Sequence, residues 1–159
     1  MKYFISILLL SLTIACSQSK EEPAKSDNQF DSKIAQAAEF TKNREFSTAL
    51  ATLSMAGQLE GRDSEKMHES FQNVINTIKA SDDKKTLADA HLAYGIWMEY
   101  YGIDMSNPSS MREMMTGALS HYRRVLELDP SNDKALSEIA QIEGIYKQMG
   151  REVPQGVAE

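Results

Sequence analysis

The sequence predicts an all-α protein of about six helices, packed as antiparallel helical hairpins. Three observations carry this. The chain of 159 residues has only 8 Gly and 4 Pro, and strong helix formers fill the stretches between them. Apolar residues after position 30 recur at three- and four-residue spacing, the period of a helix with one buried face. The breaks between these runs hold residues that end or start helices: Gly57, Gly61, Ser81-Asp82, Gly102, Asn107-Pro108, Asp129-Pro130 and Gly150. This length suits one domain with a modest core.

The first segment is not part of that fold. Lys2 gives a short positive start, and FISILLLSLTIA is an apolar run too short to span a bilayer, which takes about 20 residues. It ends at Ala15-Cys16, and Cys16 is the only cysteine. LTIAC resembles a bacterial lipobox, with Thr13 standing where that family usually has leucine. The resemblance implies that residues 1–15 are a lipoprotein signal peptide and that Cys16 is acylated and becomes the mature N-terminus. Several acyl chains would anchor the chain without spanning the membrane. Ser17, rather than aspartate, follows the cysteine; by resemblance to Gram-negative lipoproteins this favours the outer membrane, facing the periplasm. The polar SKEE run also resembles a surface-export signal of some bacterial groups. Residues 16–28 then read as lipidated cysteine and flexible tether, since SQSKEEPAKSDN has no large apolar residue.

The helical domain is expected over 29–152. Helix one, about 30–42, turns Phe30, Ile34, Ala37, Ala38 and Phe40 inward. Helix two, about 45–59, does so with Phe46, Ala49, Leu50, Leu53 and Ala56. Helix three, about 64–79, is capped by Asp63 or Ser64 and buries Met67, Phe71, Val74, Ile75 and Ile78. Helix four, about 83–102, carries Leu87, Ala90, Tyr94, Trp97 and Tyr101. Ser110 and Glu113 form a capping box for helix five, which buries Met111, Met114, Ala118, Tyr122 and Val125 and stops at Asp129-Pro130. Asn132 caps helix six, with Leu136, Ile139, Ile142, Tyr146 and Met149 inward. The tail, 153–159, is expected to touch the last helix only through Val153 and Pro154.

ALSHYRRVLELDPSNDKALSEIA, within 118–140, resembles the junction between two tetratricopeptide repeats, helix–turn–helix units of about 34 residues that bury their apolar faces by stacking. Ala118 matches the small close-approach position, Tyr122 the packing aromatic and Pro130 the turn. Leu136, Ile139 and Ala140 match the apolar and small positions of the next helix. A fainter copy surrounds Ala49, about two repeat lengths upstream, with polar residues near Asn43 where the family has a turn glycine. The implied fold is a short, irregular tetratricopeptide-like solenoid. Helix four pairs with helix five in the preferred arrangement, with Gly95 as the close-approach residue and helix three left over. In the alternative, helix three pairs with helix four.

The resemblance also implies a groove lined by the first helix of each repeat. That places Leu92, Ile96, Glu99 and Tyr100 with Lys134, Ser137, Glu138 and Gln141, a mixed polar surface around an aromatic that suits a peptide segment. The expected function is a membrane-anchored, non-catalytic scaffold or adaptor for another envelope protein. An accessory subunit of an envelope enzyme is the alternative.

Other functions find less support. Acidic residues outnumber basic ones, 23 to 17, and no basic patch exists for nucleic acid. His68, His91 and His121 fall on three different helices without metal-ligand spacing. No phosphate-cradling loop or nucleophile elbow occurs. No catalytic residue, metal, cofactor or small-molecule substrate is expected. Met98, Met105, Met111, Met114 and Met115 crowd helices four and five. Thioethers can hold Cu(I), but methionine more commonly fills irregular core gaps, and packing is the preferred reading.

Overall fold

The computed structural model describes residues 24–104 and 107–159. The expected signal peptide, the Cys16 lipidation site and most of the tether lie outside these residues. The described chain is all-helical, with six helices and no strand: α1 (Ala24–Lys42), α2 (Phe46–Gly57), α3 (Ser64–Lys79), α4 (Lys84–Tyr100), α5 (Pro108–Leu128) and α6 (Asp133–Gln148). The first helix thus begins upstream of the run that starts at Phe30.

Two antiparallel hairpins dominate, α1 with α2 and α4 with α5. The preferred pairing of helices four and five is therefore the observed one. Its antiparallel sense shows in the contacts, which descend α5 as they climb α4. Gly95 meets Tyr122, Met98 meets Gly117, and Gly102 meets Met114. Gly95 is the point of closest approach: a Cβ there would lie 2.7 Å from Tyr122 Cε1. Ala49 and Ala118, the small positions of the two repeat-like units, are both completely buried.

The third helix is not without partners. α3 packs against α1, α2 and α4, and all five of its expected inward residues are buried. Phe71 stacks on Tyr94 with centroids 4.8 Å apart, and Lys66 pairs with Asp31 of α1 at 2.8 Å. Trp97 sits where α2, α3 and α4 meet. Its ring lies against the Cα of Gly57, where a Cβ would come within 2.3 Å of Trp97 Cδ1. Arg62, between α2 and α3, donates through Nε to the Tyr101 carbonyl at 2.9 Å and through Nη2 to the same oxygen. Its Nη1 also reaches the Leu59 carbonyl at 3.3 Å. A cation at the carbonyl end of α4 also suits the helix dipole.

Side-chain caps start four of the helices: Asp63, Asp83, Asn107 and Asn132 each accept from backbone N–H groups of the following turn. Asn107 corrects the expected capping box at Ser110 and Glu113. Pro108 occupies the first turn of α5, where its missing N–H would have had no helical partner anyway. The α1–α2 turn also has a physical signature. Arg44 adopts φ 61°, the left-handed conformation that favours glycine.

The last helix departs most from expectation. Its buried residues are Ala135, Glu138, Ile142 and Tyr146. Leu136 is 46% exposed and Met149 51% exposed; Ala140 is exposed too, and Ile139 is half-buried. Among the described residues no helix covers that face. Pro130 lies exposed in the turn, as expected. Ala38 is exposed on α1, and Met111 and Met114 are only half-buried on α5.

The tail is held more extensively than expected, with hydrogen bonds to α5. Arg123 Nη1 donates to the Pro154 carbonyl at 2.7 Å and to the Gly156 carbonyl at 3.3 Å. The Ala158 N–H donates to the Ser120 carbonyl at 3.1 Å.

Candidate binding groove

α4 ends at Tyr100, beside the middle of α6. The close approach of α4 and α5 at Gly95 carries the Tyr122 ring beneath this junction. The Tyr122 hydroxyl donates to Glu99 Oε2 at 2.7 Å, and Gln141 Nε2 donates to Glu99 Oε1 at 3.1 Å. The Tyr100 hydroxyl donates to Glu138 Oε2 at 3.0 Å, and the Lys134 ammonium donates to Glu138 Oε1. All four oxygens of two buried carboxylates are thereby satisfied, which is what allows charged groups to sit in a low-dielectric setting.

Burial holds the Glu99 carboxyl above its ordinary range, the Tyr122 hydrogen bond opposes that shift, and Glu138 adds to it. Burial also pushes the Tyr122 hydroxyl up, helped by Glu99. The hydrogen bond to Glu138 holds the Lys134 ammonium up. These are the signatures of a fixed network, with Glu99 and Glu138 as its centres.

Five of the eight expected groove residues therefore meet: Glu99, Tyr100, Lys134, Glu138 and Gln141. Ser137 is exposed on α6. Leu92 and Ile96 lie elsewhere, in a separate depression of about 340 Å³ between α4 and α2, with Leu50 and Ser54. The expected single groove is thus two surfaces, because the α4 face turns from α2 toward α6 along its length.

Next to the network opens a larger cavity of about 500 Å³. Glu99, Tyr100 and Gln141 form one side. Ile103, Pro108, Met111 and Met115 form the second, and Ile145, Tyr146 and Met149 the third, with Arg112 and Arg151 among the lining residues. The Thr116 and Tyr146 hydroxyls meet beside it at 3.4 Å. Sequence reasoning missed this cavity because it read Met149 as core and began α5 at Ser110. Pro108 at the first helical position was the available signal.

The methionines divide in the same way. Met98 and Met114 pack against glycines in the α4–α5 interface, with Met98 Sδ 2.9 Å from a Cβ position at Gly117 and Met114 Sδ 3.2 Å from that at Gly102. Met111 and Met115 face the cavity. Met105 lies outside the described residues.

The three histidines, widely separated in sequence, converge around Tyr94. His91 Nδ1 and His121 Nδ1 share a hydrogen bond at 2.8 Å, and His68 Nδ1 meets the Tyr94 hydroxyl. Desolvation by burial lowers His91 to about 3 and His121 to about 4. It also lowers His68 and raises the Tyr94 hydroxyl to about 12. His91 Nε2 is buried without a hydrogen-bond partner. His91 was not among the residues expected to face inward on α4, yet it is fully buried. Among the described residues, no three His, Cys, Asp or Glu side chains converge as a metal site requires.

Comparison with protein-family models, with curated proteins and with solved structures finds no match to this chain. Among the described residues, no helix is long and apolar enough to cross a membrane.

Proposed function

We propose that this chain is a lipid-anchored envelope protein, held at the outer membrane through Cys16, that works as a non-catalytic scaffold. In this reading it is a tetratricopeptide-like adaptor that holds a peptide segment of another envelope protein across the α4–α6 ridge. One observation carries the reading. Tyr100 is 50% exposed although its hydroxyl is fixed to the buried Glu138. An aromatic held rigid at a surface loses little conformational freedom on binding, and that is the property of an interface anchor. Lys134, exposed at the other end of the same carboxylate, supplies a polar rim.

The test uses the full-length chain in native membranes, with a photocrosslinking amino acid at Ser137. A discrete adduct with one envelope protein is expected. Tyr100→Ala and Gln141→Ala should weaken that capture while helicity by circular dichroism stays unchanged. Undiminished capture in both variants would overturn the groove assignment. Anchoring is tested by metabolic labelling with an alkyne fatty acid, which Cys16→Ser should abolish.

A further inference from the structure

The 500 Å³ cavity beside the network has a chemistry that the ridge does not share. Its walls are thioether and aliphatic carbon from Ile103, Met111, Met115, Ile145 and Met149. Ile145 and Met149 are 38% and 51% exposed, a continuous apolar surface left open to water at the end of the fold. The volume falls in the range of sites that enclose a small ligand, roughly 300–1,000 Å³. Methionine side chains add adaptability, since they fit flexible apolar ligands without fixed shape complementarity.

The polar groups at the cavity point to the ligand's other end. Arg112 and Arg151 both line it and are exposed. Neither guanidinium has an ion pair or hydrogen bond among the described residues, whereas Arg62, Arg123 and Arg124 each bind an oxygen. Glu99, the one carboxylate among the lining residues, has both oxygens engaged by Tyr122 and Gln141 rather than by either arginine. The cavity thus combines an apolar interior with two unsatisfied planar cations, in a chain whose formal net charge is −6. A guanidinium matches a carboxylate by two parallel hydrogen bonds.

We propose that this cavity binds a long-chain fatty acid, its alkyl chain against Met111, Met115 and Met149 and its carboxylate at Arg112 and Arg151. This goes beyond the scaffold reading and adds a small ligand to a chain otherwise read as a protein-binding module. A free fatty acid fits better than a peptide segment. The apolar walls offer almost no partners to a peptide backbone, whose polar groups would enter the cavity unpaired.

The experiment uses the full-length chain in lipid nanodiscs, with a diazirine-bearing palmitic acid as probe. After irradiation, adducts are mapped by mass spectrometry. Labelling is expected at Met111, Met115, Ile145 or Met149 and should be competed by unlabelled palmitate. Met115→Trp, which fills the cavity, should abolish it. Arg112→Glu with Arg151→Glu, two exposed positions whose replacement leaves the core intact, should weaken competition about tenfold. Adducts confined to residues outside the cavity would overturn the proposal, as would labelling unchanged by the double charge reversal. So would a crosslinked dimer or a co-purifying peptide occupying these residues. Capture of the envelope partner from Ser137 is measured in the same variants. Its persistence when labelling fails would sink the fatty-acid site and leave the scaffold standing. Its loss in Lys134→Ala, a ridge position that does not line the cavity, with labelling intact separates the two in the other direction.

Discussion

Alanine substitution at two glycines, one in α4 and one in α6, should shift stability in opposite directions. In an open helix interior, alanine is better than glycine by roughly 1 kcal/mol. Gly144 in α6 has no atom within 4 Å of the point a Cβ would occupy, so Gly144→Ala should stabilise the fold by up to about 1 kcal/mol. Gly95 gains the same propensity and loses more. A Cβ there would meet Tyr122 Cε1 at 2.7 Å, Cδ1 at 3.0 Å and Cζ at 3.2 Å. That ring has no free direction, being fully buried with its hydroxyl 2.7 Å from Glu99. Overpacking costs about 1–3 kcal/mol, and displacing a hydrogen bond to a carboxylate costs about 1.5–3 kcal/mol more. Set against the propensity gain, Gly95→Ala should destabilise by about 1.5–5 kcal/mol. Urea unfolding followed by far-ultraviolet circular dichroism, extrapolated linearly, reads both values. If Gly95→Ala is as stable as the parent, or if both variants move the same way by similar amounts, the close packing of α4 on α5 has been misread.

Three more outcomes follow from other sites. His91, depressed to about 3 by burial and by neighbouring His121, Arg124 and Lys79, has an ordinary value of 6.5 in the unfolded chain. The unfolded state therefore takes up the proton first, and stability falls as pH drops below 6.5, levelling off only below the folded value. At pH 5 this amounts to about 2 kcal/mol, and urea midpoints for His91→Leu should show a correspondingly flatter profile. Arg44→Gly should raise stability by about 1 kcal/mol by relieving the left-handed backbone at φ 61°; a lower melting temperature would contradict this. Asn107→Ala should cost about 1 kcal/mol, and hydrogen exchange should show the loss as fraying of the first turn of α5, leaving α6 unaffected.

Local patterns made most of the architecture legible. The α3 stripe from Met67 to Ile78 needed only helical spacing. Asn132 and Asp63 announced their caps through side chains suited to backbone donors, and Gly95 with Tyr122 announced the α4–α5 contact. What failed depended on neighbours that no local pattern names. Leu136 matches a repeat position and Met149 lies on the expected inward stripe, yet both are exposed, since nothing among the described residues covers that face. Met111 looked inward and does turn inward, but toward a cavity. Glu99 and Glu138, expected on an open groove, are buried, and that burial depends on hydrogen bonds from Tyr122, Tyr100 and Gln141 that sequence separation conceals. The histidines were scattered in sequence, and only the packing of α3, α4 and α5 around Tyr94 brings them together.

Arg62 gives the molecule a mechanical property. It lashes the exit of the first hairpin to the last carbonyls of α4, next to Tyr100. The two hairpins are thus joined by a hydrogen-bonded clasp as well as by packing, so parting them must break the clasp and the packed faces together.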